Sequence, residues 1–231
     1  MKEKSDLNKI LEGRCRGLGA DYVGFKKANE AHSRGTATEV YDPVAGRTVH
    51  TLSMGEMYWF WNLRYDEEVT EILEQFLLIP EVAAKAALKL GLPAPGRILT
   101  NDMLALYRDG HMTAYSIKAS RRELDPGTAH GRAVIRRQAL EKAYWDMLGV
   151  RFRIVFKEEM DRYQAMNISA CMKYYDAGSV QTVDQMYKHL IAHHVIETDM
   201  SKPVFFARTA NENAGEIAEL FERRAVYAHR G

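Results

Sequence analysis

The spacing of apolar residues predicts that strands alternate with helices over the first two-thirds of the chain. β-prone apolar segments occur at residues 34–52, 69–79, 96–118 and 151–156. Helical spacing occurs at residues 81–90 and 132–148, and a glycine follows each of these two segments. An alternation of strands and helices is typical of an α/β domain.

From residue 158 onward the pattern becomes mostly helical. Helical spacing occurs at residues 158–176, 180–195 and 211–228. Residues 204–208 are apolar and β-prone, so a short strand or wing is the alternative there. We therefore predict an α/β domain over residues 1–157 and a small, mostly α-helical domain over residues 158–231, with a winged-helix-like fold as the alternative for the second.

Residues 96–118 predict a β-hairpin whose two strands each carry one charged residue. Arg108-Asp109-Gly110 is the turn signal, and Asp102 and Lys118 are the charged residues. A two-residue loop would place Asp102 opposite Ile117, with Lys118 on the other face. A three-residue loop with Gly110 in the left-handed conformation would place Asp102 opposite Ser116, with Lys118 on the same face.

An acid and a lysine on one face of adjacent strands have two explanations. The first is a cross-strand ion pair at the end of a sheet, which contributes roughly 0.2–1 kcal/mol. The second is the arrangement that metal-dependent nucleases use. The hairpin alone favours the ion pair.

A helix start is predicted where Ser53 precedes Glu56 by three residues, ahead of Met57, Phe60 and Trp61. This is the capping-box pattern, in which the serine and the glutamate satisfy backbone N–H groups of the first turn. Glu56 therefore has a structural explanation before any function is considered.

Composition and charge exclude little. The chain has 231 residues, 46% hydrophobic and 27% charged, with a formal net charge of +1, so the whole molecule gives no nucleic-acid signal. No apolar run approaches a membrane span or a secretion signal, and Cys15 and Cys171 form no disulfide framework, so we expect a cytoplasmic protein.

Positive charge is nevertheless concentrated just after the hairpin. A basic cluster there could neutralise phosphates, and a solvated helix face explains it equally well. From this cluster and from the glycine-rich segment 13–19 we select candidate DNA contacts: Arg14, Arg16, Arg121, Arg122, Arg136 and Arg137.

A set of specific residues occurs in order over most of residues 9–157. Its members are Glu12-Gly13-Arg14, Gly17, Gly19, Asp21-Tyr22, Tyr41, Gly46-Arg47, His50, Leu52-Ser53, Glu56, Val69, Ile72, Glu74-Gln75-Phe76, Leu88, Gly91, Thr100, Asp102, Ile117-Lys118, Glu141 and Tyr144-Trp145. The order of the elements resembles the PD-(D/E)xK nuclease core, and these residues resemble the TnsA endonucleases of heteromeric, Tn-seven-type transposons.

The resemblance implies a restriction-endonuclease-like mixed sheet flanked by helices and a catalytic set of Glu56, Asp102 and Lys118. It implies that Glu56, Asp102 and the Ile117 carbonyl bind Mg²⁺, for which Mn²⁺ can substitute. Supporting roles around this set would fall to Gln75, Ser116 and Glu141.

The same resemblance implies partners. These are double-stranded DNA at transposon ends, a TnsB-type DDE transposase and a TnsC-type AAA+ ATPase in a bacterial cytoplasm. Residues 158–231 would contact the ATPase, and DNA contact by the same residues is left open. Ser116 departs from the family, which has a carboxylate or glutamine there. Two alternatives therefore stay open: a stand-alone restriction or repair nuclease of the same fold, and an assembly scaffold that has lost catalysis.

Overall fold

The computed structural model describes residues 4–30 and 36–228, which divide into two compact units at Met160 and Asp161. The predicted boundary lay three residues earlier. In the first unit the regular elements are α1 (Asp6–Leu11), β1 (Thr38–Asp42), β2 (Arg47–Thr51), α2 (Met54–Tyr65), β3 (Val69–Leu77), α3 (Pro80–Lys89), β4 (Thr100–Tyr107), β5 (Met112–Lys118), α4 (Ala129–Met147) and β6 (Arg151–Phe156).

The first unit is built on a mixed four-stranded sheet with the strand order β3-β4-β5-β6. The pairs β3–β4 and β4–β5 are antiparallel, whereas β5 and β6 are parallel. Helices α3 and α4 cover the sheet, and the core between them includes Leu73, Ala86, Leu104, Tyr144 and Trp145. This confirms the predicted fold class, an α/β fold with a mixed β-sheet flanked by helices.

The β4–β5 turn has the three-residue form. Gly110 has a φ of +85°, and the Gly110 N–H donates to the Tyr107 carbonyl. Because glycine has no Cβ, it adopts this left-handed conformation without strain. The last paired residues of the hairpin are Met103 and Tyr115, so one step further Asp102 faces Ser116.

The hairpin β1–β2 forms a separate two-stranded sheet that is tied to β3 by a buried arginine. Arg47 donates to the Glu74 carboxylate at 3.0 Å and to the Ile72 carbonyl at 2.6 Å. Asp42, at the end of β1, pairs with Arg64 of α2 at 2.6 Å. These ion pairs tie the β1–β2 hairpin to the main sheet and to the last turn of α2.

The second unit contains only helices within its described residues, which end at residue 228. They are α5 (Arg162–Met172), α6 (Val183–Ala192), α7 (Phe206–Glu212) and α8 (Ala214–Ala228), and Ile168, Leu190 and Ile217 are buried among them. The helical prediction is confirmed, but the strand or wing at 204–208 is wrong. Residues 206–208 begin α7 because Phe206 packs edge-on against Tyr187 of α6, and this contact overrides the local β propensity.

Over residues 4–30 and 36–228, the structure contains no helix that is both long enough and apolar enough to cross a membrane.

Candidate functional site

Asp102 lies where the β4–β5 ladder ends, and its carboxylate replaces the next ladder bond. The Ile117 N–H donates to Asp102 Oδ2 at 2.7 Å, and the Ser116 hydroxyl donates to the same oxygen at 3.3 Å. The side chain remains 23% exposed. Asp102 is therefore fixed by its neighbouring strand and still open on one side.

Lys118 lies on the same face as Asp102. Its ammonium donates to the Ser116 hydroxyl at 2.8 Å and to the Ile117 carbonyl at 3.0 Å, and it is 3.7 Å from Asp102 Oδ2. Ser116 thus accepts from the lysine and donates to the aspartate, so its hydroxyl links the two charges. The structure places Asp102, Ser116, Ile117 and Lys118 together, as the three-residue loop predicts.

Glu56 lies at the start of α2, and both oxygens of its carboxylate accept hydrogen bonds. Oε2 accepts from the Leu52 N–H at 2.9 Å, and Oε1 accepts from the Ser53 hydroxyl at 3.1 Å. The Ser53 hydroxyl in turn accepts from the Glu56 N–H at 3.2 Å. The predicted helix cap is confirmed, with Leu52 rather than Ser53 supplying the backbone donor.

The start of α2 approaches β5 closely because residue 55 is glycine. A Cβ at Gly55 would lie 3.0 Å from the Ile117 side chain. Burial, and then the nearby negative charge of Asp102, raise the pKa of Glu56 to about 8. Gly55 therefore lets the first turn of α2, which carries Glu56, pack against β5.

Gln75 connects Glu56 with the sheet. Its amide Nε2 donates to Glu56 Oε2 at 3.2 Å, and its Oε1 accepts from the Thr100 hydroxyl at 3.3 Å. Gln75 has a φ of +48°, although it lies within β3. A left-handed glutamine inside a strand costs about 1–3 kcal/mol, so the surrounding contacts hold it there.

Glu141 of α4 is buried and bonded on two sides. Oε1 accepts from Arg137 Nε at 2.5 Å, and Oε2 accepts from the Asn101 amide at 3.4 Å. Burial raises the pKa of Glu141, and Arg137 opposes this rise. Arg137 also donates to the Thr100 carbonyl at 2.8 Å, which ties α4 to the strand that carries Asp102.

A cavity of about 720 Å³ opens at the exposed side of Asp102. Glu56 and Gln75 lie outside its lining. Several basic side chains share that lining with Asp102, Ser116 and Glu141: Lys4, Lys26, Arg97, Lys118, His130 and Arg137. Lys4 and Lys26 were not predicted because they are remote from the hairpin in sequence, and Arg97 and His130, which are close to it, were not singled out.

The six candidate DNA contacts have different surroundings. Arg137 lines the cavity, whereas Arg16, Arg122 and Arg136 are exposed. Arg121 is exposed and is paired with Glu159. The prediction for Arg14 is wrong, because its buried guanidinium donates to Glu30 at 2.6 and 2.7 Å and has no access to a DNA backbone.

The predicted metal ligands consist of two carboxylates and one main-chain carbonyl. Among the described residues, no group of three or more His, Cys, Asp or Glu side chains converges in a way that could hold a metal ion. The Ile117 carbonyl is therefore a necessary member of the predicted set, and that set stays a prediction.

The fold and the hairpin site define the class: a mixed α/β protein with an aspartate and a lysine paired on neighbouring strands. No family model matches the chain. The chain is similar to the Transposon Tn7 transposition protein TnsA of Escherichia coli, with 27% identity over 166 residues. The aligned part is 69% of this chain and 59% of the relative, so the chain spans less than two-thirds of the relative's length. The predicted resemblance to TnsA is confirmed as a similarity of sequence.

Proposed function

We propose that this chain is an Mg²⁺-dependent DNA endonuclease that cleaves the 5′ ends of a transposon during cut-and-paste transposition. The observation that carries the proposal is the convergence of the Asp102 carboxylate, the Ile117 carbonyl and the Lys118 ammonium at the end of the hairpin. The similarity to a transposition protein supports the biological setting.

The atoms at this position suit a small divalent cation. The carboxylates of Asp102 and Glu56 and the Ile117 carbonyl are hard oxygen ligands, which Mg²⁺ prefers, and Mn²⁺ accepts the same set. The Lys118 ammonium already lies against two of these groups, which supports placing positive charge there. Bound Mg²⁺ would lower the pKa of a coordinated water and stabilise negative charge on the phosphate.

The chain's own residues would then complete the site. Lys118 would orient the attacking water and donate to the phosphate as charge develops on it. Ser116 would hold the lysine ammonium, to which it is 2.8 Å away, in register with Asp102. Gln75 would hold Glu56, and Glu141 would hold Arg137 at the cavity wall.

The partners follow from the proposed setting. The chain would act in the bacterial cytoplasm on double-stranded transposon ends, together with a TnsB-type transposase and a TnsC-type ATPase. A net charge of only +1 suits a nuclease that receives most of its DNA affinity from a partner. The helical unit from Asp161 onward would contact the ATPase.

A catalytically inactive assembly scaffold is the second candidate, and Ser116 favours it, because serine is a poorer metal ligand than a carboxylate. A stand-alone nuclease of the same fold is the third. It differs from the first proposal in cleaving DNA without the transposase and the ATPase.

The test is strand cleavage of labelled transposon-end DNA with Mg²⁺, with and without the transposase and the ATPase. Wild type is compared with Asp102→Asn, Lys118→Ala and the control Asp109→Asn. Asp109 is an exposed carboxylate in the turn of the same hairpin, where Oδ1 accepts from the His111 N–H at 3.0 Å and lies 2.5 Å from His111 Nδ1. Circular dichroism checks that every variant folds.

The proposal predicts 5′ cleavage by wild type and Asp109→Asn, loss in the other two variants, and dependence on both partners. Cleavage without partners would favour the stand-alone nuclease. Equal behaviour of wild type and Asp102→Asn, with the assembly intact, would favour the scaffold.

A further inference from the structure

Residues 22–26 lie directly on strand β3, beside the site. The Tyr22 hydroxyl donates to the Glu74 carbonyl at 2.9 Å, and the Phe25 N–H donates to the Gln75 carbonyl at 3.2 Å. A Cβ at Gly24 would lie only 2.8 Å from the Glu74 carbonyl oxygen. Glycine at position 24 is therefore what allows the segment to approach the strand this closely.

Phe25, the residue before Lys26, is fixed through both its ring and its backbone. The ring of Phe25 is buried, and the Lys9 ammonium lies 5.1 Å from its centroid. The Phe25 carbonyl accepts from Arg14 at 2.9 Å, and Arg14 is itself fixed by Glu30. The backbone that leads into Lys26 is therefore anchored by buried contacts.

The side chain of Lys26 takes no part in this anchoring. It is partly buried and lines the same cavity as Asp102, Lys118 and Arg137. Within residues 4–30 and 36–228, no hydrogen bond or salt bridge involves its ammonium. Burial lowers the pKa of Lys26, and the charge of Asp102 opposes this effect.

An ammonium that is withdrawn from water without a bonded anion is costly, and an anionic ligand offsets that cost. The other cations of the cavity are already engaged or open to solvent. Lys118 bonds to Ser116 and Ile117, Arg137 bonds to Glu141, and Arg97 is exposed. Lys26 therefore offers the cavity a positioned cation with unused hydrogen-bond capacity.

We propose that Lys26 binds a phosphate of the DNA backbone that enters this cavity, next to the phosphodiester held against Asp102 and Lys118. The inference rests on the proposed nuclease function, because it takes DNA as the occupant. In this role Lys26 fixes the register of the strand at the site. Its contribution is a compact charge that reaches a phosphate oxygen with up to three donors.

The test uses the full-length chain in two assays, with Lys26→Ala, Lys26→Arg and the matched control Lys27→Ala. Lys27 is the neighbouring lysine and does not line the cavity. The first assay measures duplex binding without metal by fluorescence anisotropy at several salt concentrations. We expect Lys26→Ala to reduce the slope of log affinity against log salt by about one, with no change for Lys27→Ala.

The second assay measures single-turnover cleavage, with the transposase and the ATPase, of ends in which single phosphates are replaced by neutral methylphosphonates. We expect Lys26→Ala to slow cleavage by about 10- to 100-fold, because a charge-assisted hydrogen bond is lost, and Lys26→Arg to recover part of the rate. One methylphosphonate should impair the wild type and have little further effect on Lys26→Ala. A purely structural role for Lys26 would not produce this position-specific pattern.

The outcomes separate the two proposals. If wild type cleaves and Lys26→Ala matches Lys27→Ala in both assays, Lys26 binds no phosphate and the proposed function stands. If wild type binds DNA with a salt slope that depends on Lys26 but does not cleave under any condition, the nuclease function is overturned and the phosphate contact stands. If the slope and the methylphosphonate pattern are both unchanged in Lys26→Ala, the inference is overturned even where the rate falls.

Discussion

The amide of Gln75 donates to the carboxylate of Glu56 at 3.2 Å, and Gln75 makes this contact from a left-handed backbone conformation within a strand. The same conformation directs the Gln75 carbonyl to the Phe25 N–H at 3.2 Å. One strained residue therefore positions both the start of α2 and the segment that carries Lys26. Strain of this kind is characteristic of sites where geometry matters more than stability.

Substitution of Gln75 separates its hydrogen bonds from its backbone strain. Gln75→Ala leaves the Glu56 and Thr100 side chains without this partner and keeps the strain, so we expect the free energy of unfolding to fall by about 1–3 kcal/mol. Gln75→Gly loses the same bonds but adopts the conformation freely, so it should be about 1 kcal/mol more stable than Gln75→Ala. Urea denaturation measures both. Equal stability of the two variants would show that the backbone is not strained.

Ser116 is expected to act through its hydroxyl, which joins Lys118 to Asp102. Ser116→Ala should slow strand cleavage by about 10- to 100-fold, because the hydrogen bonds of the hydroxyl to the Asp102 carboxylate and the Lys118 ammonium are both lost, while the protein stays folded. Single-turnover cleavage measures the rate. Ser120→Ala is the control, because the Ser120 side chain makes no capping hydrogen bond just beyond β5. An unchanged rate in Ser116→Ala would mean that the hydroxyl link has no role in the chemistry.

The hairpin and the helix start were predictable because their information is local. Gly110 supplies the left-handed position that sets the register, and the spacing of Ser53 and Glu56 sets the cap. Each feature involves residues that are only a few positions apart. Once the loop has three residues, the side-chain period of two in a strand places Lys118 on the face of Asp102; the sequence alone left the two-residue loop open.

The contribution of the N-terminal segment was not predictable, because it depends on contacts between distant residues. Arg14 looked exposed because glycines surround it in sequence, but its partner Glu30 lies 16 residues away. The segment that carries Lys26 is held beside the cavity by the hydrogen bond from the Phe25 N–H to the Gln75 carbonyl. Phe25 and Gln75 are 50 positions apart in the chain. Patterns among neighbouring residues do not reveal contacts between residues that are 16 or 50 positions apart. The sequence therefore indicated the charged residues of the hairpin and missed Lys4 and Lys26, which line the same cavity.

Arg14 should behave as a structural residue and not as a DNA contact. Its buried pairing with Glu30 lowers the pKa of that carboxylate to about 2, mainly through the hydrogen bonds that Arg14 donates. Arg14→Ala leaves Glu30 buried without its partner, so we expect the free energy of unfolding to fall by about 3–5 kcal/mol. Urea denaturation measures the loss.

The controls for Arg14 are Arg16→Ala and the double variant Arg14→Ala/Glu30→Ala. Arg16 is exposed, so its removal should change stability by no more than about 0.5 kcal/mol. The double variant should lose less stability than the sum of the single variants, because the pair is coupled. Additive losses would contradict the ion pair.

The helical unit should lose stability in mild acid because of His193 on α6. Burial lowers the pKa of His193 to about 4, although Nε2 lies 2.8 Å from the Tyr175 carbonyl, and Arg224, His189 and His194 lower it further. An unfolded histidine has a pKa near 6.5, so below that pH the unfolded state binds a proton that the folded state resists. The stabilising effect is therefore complete above about pH 6.5 and is lost as the pH falls toward 4.

We expect the free energy of unfolding of this unit to fall by about 1–3 kcal/mol between pH 6.5 and pH 4 because of His193. Hydrogen exchange of amides in α5 and α6 measures this unit directly, whereas tryptophan fluorescence does not, since Trp59, Trp61 and Trp145 all precede Asp161. His193→Gln keeps a polar side chain of similar size without a titrating group. The exchange rates of amides in α5 and α6 should therefore depend less on pH in this variant over this range. The exposed His111 in the first unit provides the control, because His111→Gln should leave the pH dependence of α5 and α6 unchanged. If wild type and His193→Gln lose protection equally on acidification, the acid sensitivity arises from another group.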